Sequence, residues 1–264
     1  MLHIILLRRG MIQVLERAFR ILEWLARADA PPRRLSEIAA YVGMSPAACS
    51  HVLRTMVRYG YVVQVAPRGG YRLGPMAAML GRHHHPHDAL IAVGQPLVER
   101  VADETGETTL LACLHGSRRL ILCHAEGKQT IRVSSDAIVL EDIYGTATGR
   151  VLLAYLDEGE LTSVLSASPP AGIVWDTAAS MEELTAALVS TREAGFAVNP
   201  DHEDMAQVAF PVRLGGSVVA SIGCFAPVYR FDEEHRSEMI SALRAAAADL
   251  SGALCGVRQQ EVRQ

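Results

Sequence analysis

The stretch GMSPAACSHVLRTMVRYG, residues 43–60, joins a turn glycine to a helix that opens on proline and small side chains. Ser45 suits the N-cap, and Pro46 takes the first helical position, where its missing N–H costs nothing. The next turn carries Ala47, Ala48, Cys49 and Ser50, thin enough to lie against another helix or the floor of a DNA groove. A seam of Val52, Leu53, Met56 and Val57 offers one side for burial. The flanking sequence decides between the two partners.

Upstream, QVLERAFRILEWLARA (13–28) places Val14, Leu15, Ala18, Ile21, Leu22 and Leu25 at helical spacing, with Arg17, Arg20 and Arg27 on the other faces. The turn ADAPPRR ends that helix, and LSEIAAYVG forms a second, short one from about Leu35 to a stop at Gly43. Downstream, YVVQVA (61–66) alternates as a strand, PRGG supplies turn chemistry, and YRLG (71–74) returns as its partner. Helix, helix, turn, helix and a two-stranded wing are the order of a winged helix-turn-helix. In that arrangement the helix after the turn enters the major groove by its N-terminal half. Ser45, Ala47, Ala48, Ser50, His51 and Arg54 then face double-stranded DNA, while Arg68 and Arg72 on the wing suit neighbouring phosphates. With only His51 and Arg54 as long base readers, backbone and shape contacts carry much of the recognition.

Charge supports this division. Residues 1–82 hold twelve Arg against four Asp and Glu, a balance of +8, and the remainder carries −12, summing to the net −4 of the 264-residue chain. A basic module of this kind meets a polyanion, and the acidic body does something else. Half of the residues are apolar, enough for real cores. No run approaches the ~18 apolar residues of a spanning helix, and the opening MLHIILLRRG reverses the order of a secretory signal, so a cytoplasmic protein without a membrane partner is expected. Five cysteines without C-x-x-C spacing argue for reduced thiols. The stretch HHHPH at 83–87 reads as a solvated spacer that marks a boundary rather than as a metal site.

In the body, a helix over about 88–104 precedes a hairpin of TTLLACLHG and RRLILCHAEG, and QTIRVSS follows as a further strand. Ser180 and Glu183 form a capping box for a helix that Gly195 closes. Then come FAVN, a second hairpin turning at Gly215–Gly216, and a terminal helix from about Asp232 to Cys255. The fold class is therefore α+β: an N-terminal winged helix-turn-helix and a domain whose antiparallel sheet is flanked by helices. In IYGTATGRVLLAYL (143–156) a Thr/Ala/Gly loop runs straight into an apolar helix. Backbone N–H groups of Ala147, Thr148 and Gly149, beside the hydroxyls of Thr146 and Thr148, suit a small carboxylate. A threonine cap with a glycine for close packing accounts for the same residues. Arg150 either assists a ligand's charge or serves a structural ion pair.

The stretches VLERAFRILEWLA, LSEIAAYVGMSPAACSHVLRTMVRYGYV, GGYRLGP, TGETTLLACLHG, TATGRVLLAYL and AGFAVN, in this order, resemble the isocitrate lyase regulator (IclR) family of bacterial transcription factors over residues 13–255. The resemblance implies a GAF-like effector domain, a homodimer or homotetramer, operator DNA as partner, a small-molecule effector and no cofactor. Domains are expected at 11–75 for DNA binding, 76–93 for a linker helix and 94–257 for the effector. The family's effector pocket maps onto Thr130, Val133, Ala147, Thr148, Asn199, Gln207, Gly223 and Phe225. Asn199 stands where many members have an acid, Gly223 and Phe225 where small hydroxyls are frequent, and His51 where a larger basic residue is common.

Two other classes compete. An enzyme would need a nucleophile elbow, a P-loop, a dinucleotide fingerprint or a zinc-protease motif, and the sequence has none. A metal or redox sensor could gather Cys113, His115, Cys123 and Cys224 from adjacent strands, although buried cysteines behave mostly as small hydrophobes.

Overall fold

The computed structural model describes residues 12–26, 31–67, 69–80, 87–129, 143–168, 180–202 and 204–261. It divides the chain into two compact units, Met1–Pro86 and His87–Gln264. The linker expected at 76–93 thus spans the end of one unit and the beginning of the other.

The first unit contains α1 (Gln13–Leu25), α2 (Leu35–Tyr41), α3 (Pro46–Arg58), the strands β1 (Val62–Gln64) and β2 (Tyr71–Leu73), and α4 (Pro75–Leu80). Gly43 turns between α2 and α3 at φ +63°, a conformation that side chains with a Cβ resist. Ser45 Oγ then accepts from the Ala48 amide at 3.3 Å, and Pro46 opens α3. The core joins Ile21 and Leu25 of α1, Ile38 and Ala39 of α2, Cys49, Leu53 and Met56 of α3, and Val62. The seam of α3 is therefore Cys49, Leu53 and Met56, at positions i, i+4 and i+7; Val52 is half-buried and Val57 exposed, because Cys49 turns the helix about one residue from the expected seam. On α1 only the later turns pack. Val14 and Leu15 are 49% and 50% exposed, since the first turns lie beyond the reach of α2 and α3. Trp24 stacks on Tyr41 with ring centroids 4.5 Å apart, and the Arg33 guanidinium lies over the Trp24 ring, 4.8 Å from its centroid.

The second unit begins with α5 (Asp88–Thr105), closed by Gly106, and the hairpin β3 (Thr108–His115) and β4 (Arg118–Ala125). Next are α6 (Ala147–Ala154), α7 (Glu158–Ala167) and α8 (Met181–Ala194), then β5 (Ala197–His202), β6 (Met205–Leu214), β7 (Ser217–Pro227) and α9 (Glu233–Glu261). The Ser180–Glu183 capping box opens α8, and Gly195 closes it. The terminal helix runs past Cys255 to Glu261. The five strands form one antiparallel sheet in the order β4-β3-β7-β6-β5.

Strand alternation supplies each face with its own core. One face presents Leu111, Cys113, Cys123, Val208, Phe210, Ile222 and Cys224 to α5 and α9, where Val98, Val101, Met239, Leu243 and Leu250 complete the packing. The other face presents Leu110, Ala112, Ala197, Ala209 and Phe225, and Ala147 and Val151 of α6 cover part of it. Beyond α6, Leu153, Val164, Leu184 and Leu188 bind α6, α7 and α8 together. The strand expected for QTIRVSS lies almost entirely outside the described residues.

Candidate DNA-reading face and effector site

The two sides of α3 differ by one or two residues of spacing. While Cys49, Leu53 and Met56 are buried, Ala47, Ala48, His51 and Arg54 are exposed, and Ser50 is half-buried at the margin. Ala47, His51, Arg54 and Arg58 follow one another at i, i+4, i+7 and i+11, so they share a single solvent stripe. Ser45, the cap itself, is exposed at its start. Arg58 adds a cation that the sequence reading passed over, although its place in the same helical stripe could have revealed it. In the wing, Arg72 is exposed on β2, opposite Val63; Arg68 lies outside the described residues. Small side chains at the first turn and cations farther along leave this helix able to approach a phosphate-lined groove.

In the second unit, register builds the candidate pocket. Asn199 pairs with Gln207, Gln207 with Phe225, and Phe225 with Thr108, which sets these four side chains in one row across β5, β6, β7 and β3. The adjoining row is Ala197, Ala209, Gly223 and Leu110. Its small members let α6 lie close. A Cβ on Gly223 would stand 2.5 Å from Thr148 Cγ2, and one on Gly149 would stand 1.9 Å from the Ile143 carbonyl oxygen. Gly223 and Gly149 therefore serve close approach.

At the start of α6 the donors are partly used. Thr146 Oγ1 caps the helix by accepting from the Gly149 amide at 3.1 Å. The Ala147 amide donates to Gln207 Oε1 at 2.8 Å. Two of the three amides expected to meet a ligand are thus occupied from within the protein, and among the described residues the Thr148 amide is the one with no such bond. Asn199 Nδ2 donates to the Gly145 carbonyl at 3.4 Å, fixing the approach to the helix. Gln207, fully buried, has its Nε2 without a hydrogen-bond partner. Such an atom carries an unmet desolvation cost of about 1–3 kcal/mol.

Arg119 is the largest fully buried side chain in the described structure, and its Nη1 donates to Thr148 Oγ1 at 3.3 Å. The sequence analysis did not select it. The signal was present in Arg118–Arg119: adjacent residues of a strand point to opposite faces, so the pair cannot both share one face, and Arg119 is the one buried while Arg118 is exposed. Arg150 turns elsewhere. Its Nε donates to Thr191 Oγ1 at 2.7 Å and its Nη2 to the Ala187 carbonyl, tying α6 to α8, and desolvation lowers its pKa. Phe225 is buried with Leu110, Ala112 and Ile121, an apolar wall beside Gln207. Thr130 and Val133 lie outside the described residues.

His115 does not join the thiols. Cys113, Cys123 and Cys224 are buried in the α5/α9 core, with Cys123 opposite Leu111 and Cys224 opposite Thr109, whereas His115 is exposed at the strand end. Burial raises the pKa of Cys123 and of Cys224 to about 11 each, which suppresses the reactive thiolate. Among the described residues no three His, Cys, Asp or Glu side chains are grouped to hold a metal ion, and no helix is long and apolar enough to cross a membrane.

Comparison with known proteins agrees with both units. Residues 14–66 match the profile of the IclR helix-turn-helix domain, and residues 84–252 that of the bacterial transcriptional regulator IclR C-terminal region. The chain is 29% identical over 246 residues to the HTH-type transcriptional regulator XynR of Escherichia coli, covering 92% of this chain and 97% of that one. It is 30% identical over 249 residues to the glycerol operon regulatory protein of Streptomyces griseus, covering 91% and 95%. A solved IclR transcriptional regulator from Alicyclobacillus acidocaldarius superposes with a TM-score of 0.72 at 27% identity, over 92% of this chain and 99% of that one. An IclR homologue from Microbacterium hydrocarbonoxydans, solved with 4-hydroxybenzoate, gives 0.71 at 23% identity, covering 91% and 98%. These families and relatives are transcriptional regulators, not enzymes. The chain belongs to the IclR family of bacterial transcriptional regulators.

Proposed function

We propose that this regulator binds operator DNA through Ser45, Ala47, Ala48, Ser50, His51 and Arg54 of α3, with Arg68 and Arg72 on phosphates, and that a small carboxylate bound in the second unit controls that affinity. The observation that carries the effector reading is the orphaned, buried Gln207 Nε2 at the start of α6, beside the Thr148 amide. A carboxylate oxygen satisfies both donors and gains from the positive end of the helix dipole. Ala147, Thr148, Gln207 and Phe225 form the site in this reading; Thr130 and Val133 are assigned to it from the family resemblance alone. Asn199 and Gly223 act by holding and admitting the helix. The 4-hydroxybenzoate bound by the Microbacterium homologue makes aromatic acids a natural part of the ligand search.

Homodimeric or homotetrameric assembly fits this function. A single winged helix reads one half-site, and Val14, Leu15 and Phe19 of α1, with Ile12 just before it, expose an apolar surface suited to a second copy. Effector binding shifts operator affinity by the ligand's differential affinity for the two arrangements of the oligomer, and by no more.

Selection of bound sequences from a random duplex pool, followed by calorimetry across small aliphatic and aromatic acids, tests the scheme. An enriched, two-fold symmetric sequence whose affinity changes with one of the acids is the expected result. No acid binding by the intact chain sinks the effector assignment.

A further inference from the structure

We infer that Arg33 is a positioning residue for DNA binding: stacked on Trp24, it holds the edge of the wing, and with it Arg72, at a fixed place relative to α3. This rests on the reading of Arg72 as a phosphate contact, and it assigns Arg33, for all its charge, no phosphate of its own.

Two sets of contacts meet at this residue. Its backbone joins the wing: the Arg33 amide donates to the Tyr71 carbonyl at 2.9 Å, and the Tyr71 amide donates back to the Arg33 carbonyl at 2.7 Å. Arg33 thus pairs with the edge of β2 one residue from Arg72. The approach is tight, since a Cβ on Gly70 would stand 2.5 Å from the Pro32 carbonyl oxygen. Its side chain joins the helices. The guanidinium lies 4.8 Å from the ring centroid of Trp24 on α1, and Trp24 stacks on Tyr41 at the end of α2. Arg20 lies over the Tyr41 ring at 5.2 Å, and its Nη2 donates to the Tyr41 carbonyl at 3.2 Å. Tyr41 is the last residue of α2 before the Gly43 turn into α3. A continuous run of contacts therefore leads from the wing edge to the segment that sets the direction of α3.

Strand geometry separates this role from a phosphate contact beside Arg72. Residues paired across a ladder share a face and adjacent residues of one strand alternate, so Arg33 is on the face of Tyr71 and Arg72 on the opposite one. Burial agrees, because Tyr71 packs against the core of this unit while Arg72 is exposed. Arg33 Nε is buried without a hydrogen-bond partner, so no hydrogen bond at that atom competes with the ring face for the guanidinium.

The test uses the full chain, a duplex of random sequence, and fluorescence anisotropy titrations at about 50 and about 200 mM salt. Losing one phosphate contact shrinks the fall in affinity between those two salt concentrations by about 3–4-fold. Arg72→Ala is expected to show that reduction. Arg33→Met and Trp24→Leu should each show it too, although Trp24→Leu removes no charge, and neither should add to it in the Arg72→Ala background. Circular dichroism checks that each variant is folded, and where one of the two is not, the other decides. A second reduction of about 3–4-fold on adding Arg33→Met to Arg72→Ala makes Arg33 a phosphate contact itself and overturns the inference. Wild-type salt dependence in Arg33→Met or in Trp24→Leu also overturns it, whatever the affinity, since lost stability alone leaves the number of released counterions unchanged. If Arg72→Ala keeps the wild-type salt dependence, the wing reading fails and takes this inference with it.

Discussion

Replacing Gln207 with methionine keeps an unbranched side chain of similar length and removes both amide atoms, so it sets two opposed effects against each other. Loss of Oε1 strands the Ala147 amide, now bonded at 2.8 Å, at a cost of about 1–3 kcal/mol. Loss of Nε2 removes a buried donor that has no partner, which returns about the same amount. The ligand-free stability should therefore change by no more than roughly 1 kcal/mol, a shift in Tm of about 2–4 °C for a unit of this size. With effector the outcome differs. A ligand at 100 times its Kd stabilises wild type by about 2.7 kcal/mol, or roughly 5–11 °C. Removing one hydrogen bond to its charged end costs about 1.5–3 kcal/mol of binding, so the same ligand concentration then stabilises by about 0.3–1.3 kcal/mol. Scanning calorimetry of both proteins, with and without the best acid from the binding panel, measures all four values. A ligand-free loss above about 3 kcal/mol would show that Nε2 is bonded in solution, and a full ligand-induced shift in Gln207→Met would remove this residue from the site.

Gly149→Ala must displace the Ile143 carbonyl from a contact of 1.9 Å, so chemical denaturation should find it destabilised by about 1–3 kcal/mol or more, with wild-type stability refuting the packing of α6. In gel-shift titrations His51→Ala and Arg54→Ala should each weaken the selected operator by about 1–3 kcal/mol, while Arg72→Ala should weaken all sequences alike and flatten the salt dependence. Glu107 is buried in a two-bond contact with Arg230, at 2.6 and 2.7 Å, and His235 Nε2 lies 3.3 Å from its Oε1, so Arg230→Ala should cost about 3 kcal/mol in denaturant unfolding, by leaving the buried carboxylate with the imidazole alone. Cys224 is raised from 9.0 to about 11 by burial; the unfolded chain ionises first, so stability present below pH 9 should fall as pH rises toward 11, and less steeply in Cys224→Ala.

The winged helix-turn-helix was legible in the sequence because its determinants are local. Ser45 bonds to Ala48 three residues away, Pro46 opens the same helix, Gly43 makes the turn, and the wing closes through a short hairpin. The capping box at Ser180 and Glu183 and the two body hairpins are legible for the same reason. Burial on α1 and α3 was less so, since periodicity shows that a helix has an apolar side without showing how far its neighbours extend. Thus Val14 and Leu15 remain exposed while Cys49 enters the core. The loop before α6 also announced a helix entrance with donors, but not which donors remain. That depends on partners remote in the chain: Gln207 reaches Ala147 across 60 residues, and Arg119 reaches Thr148 across 29. Such meetings are set by strand register, and a one-residue slip would turn Gln207 and Phe225 to the opposite face. Side-chain chemistry and the order of elements are therefore written in the sequence, whereas the orphaned amide, the inward Arg119 and the diversion of Arg150 to α8 exist only once the sheet has closed beneath α6.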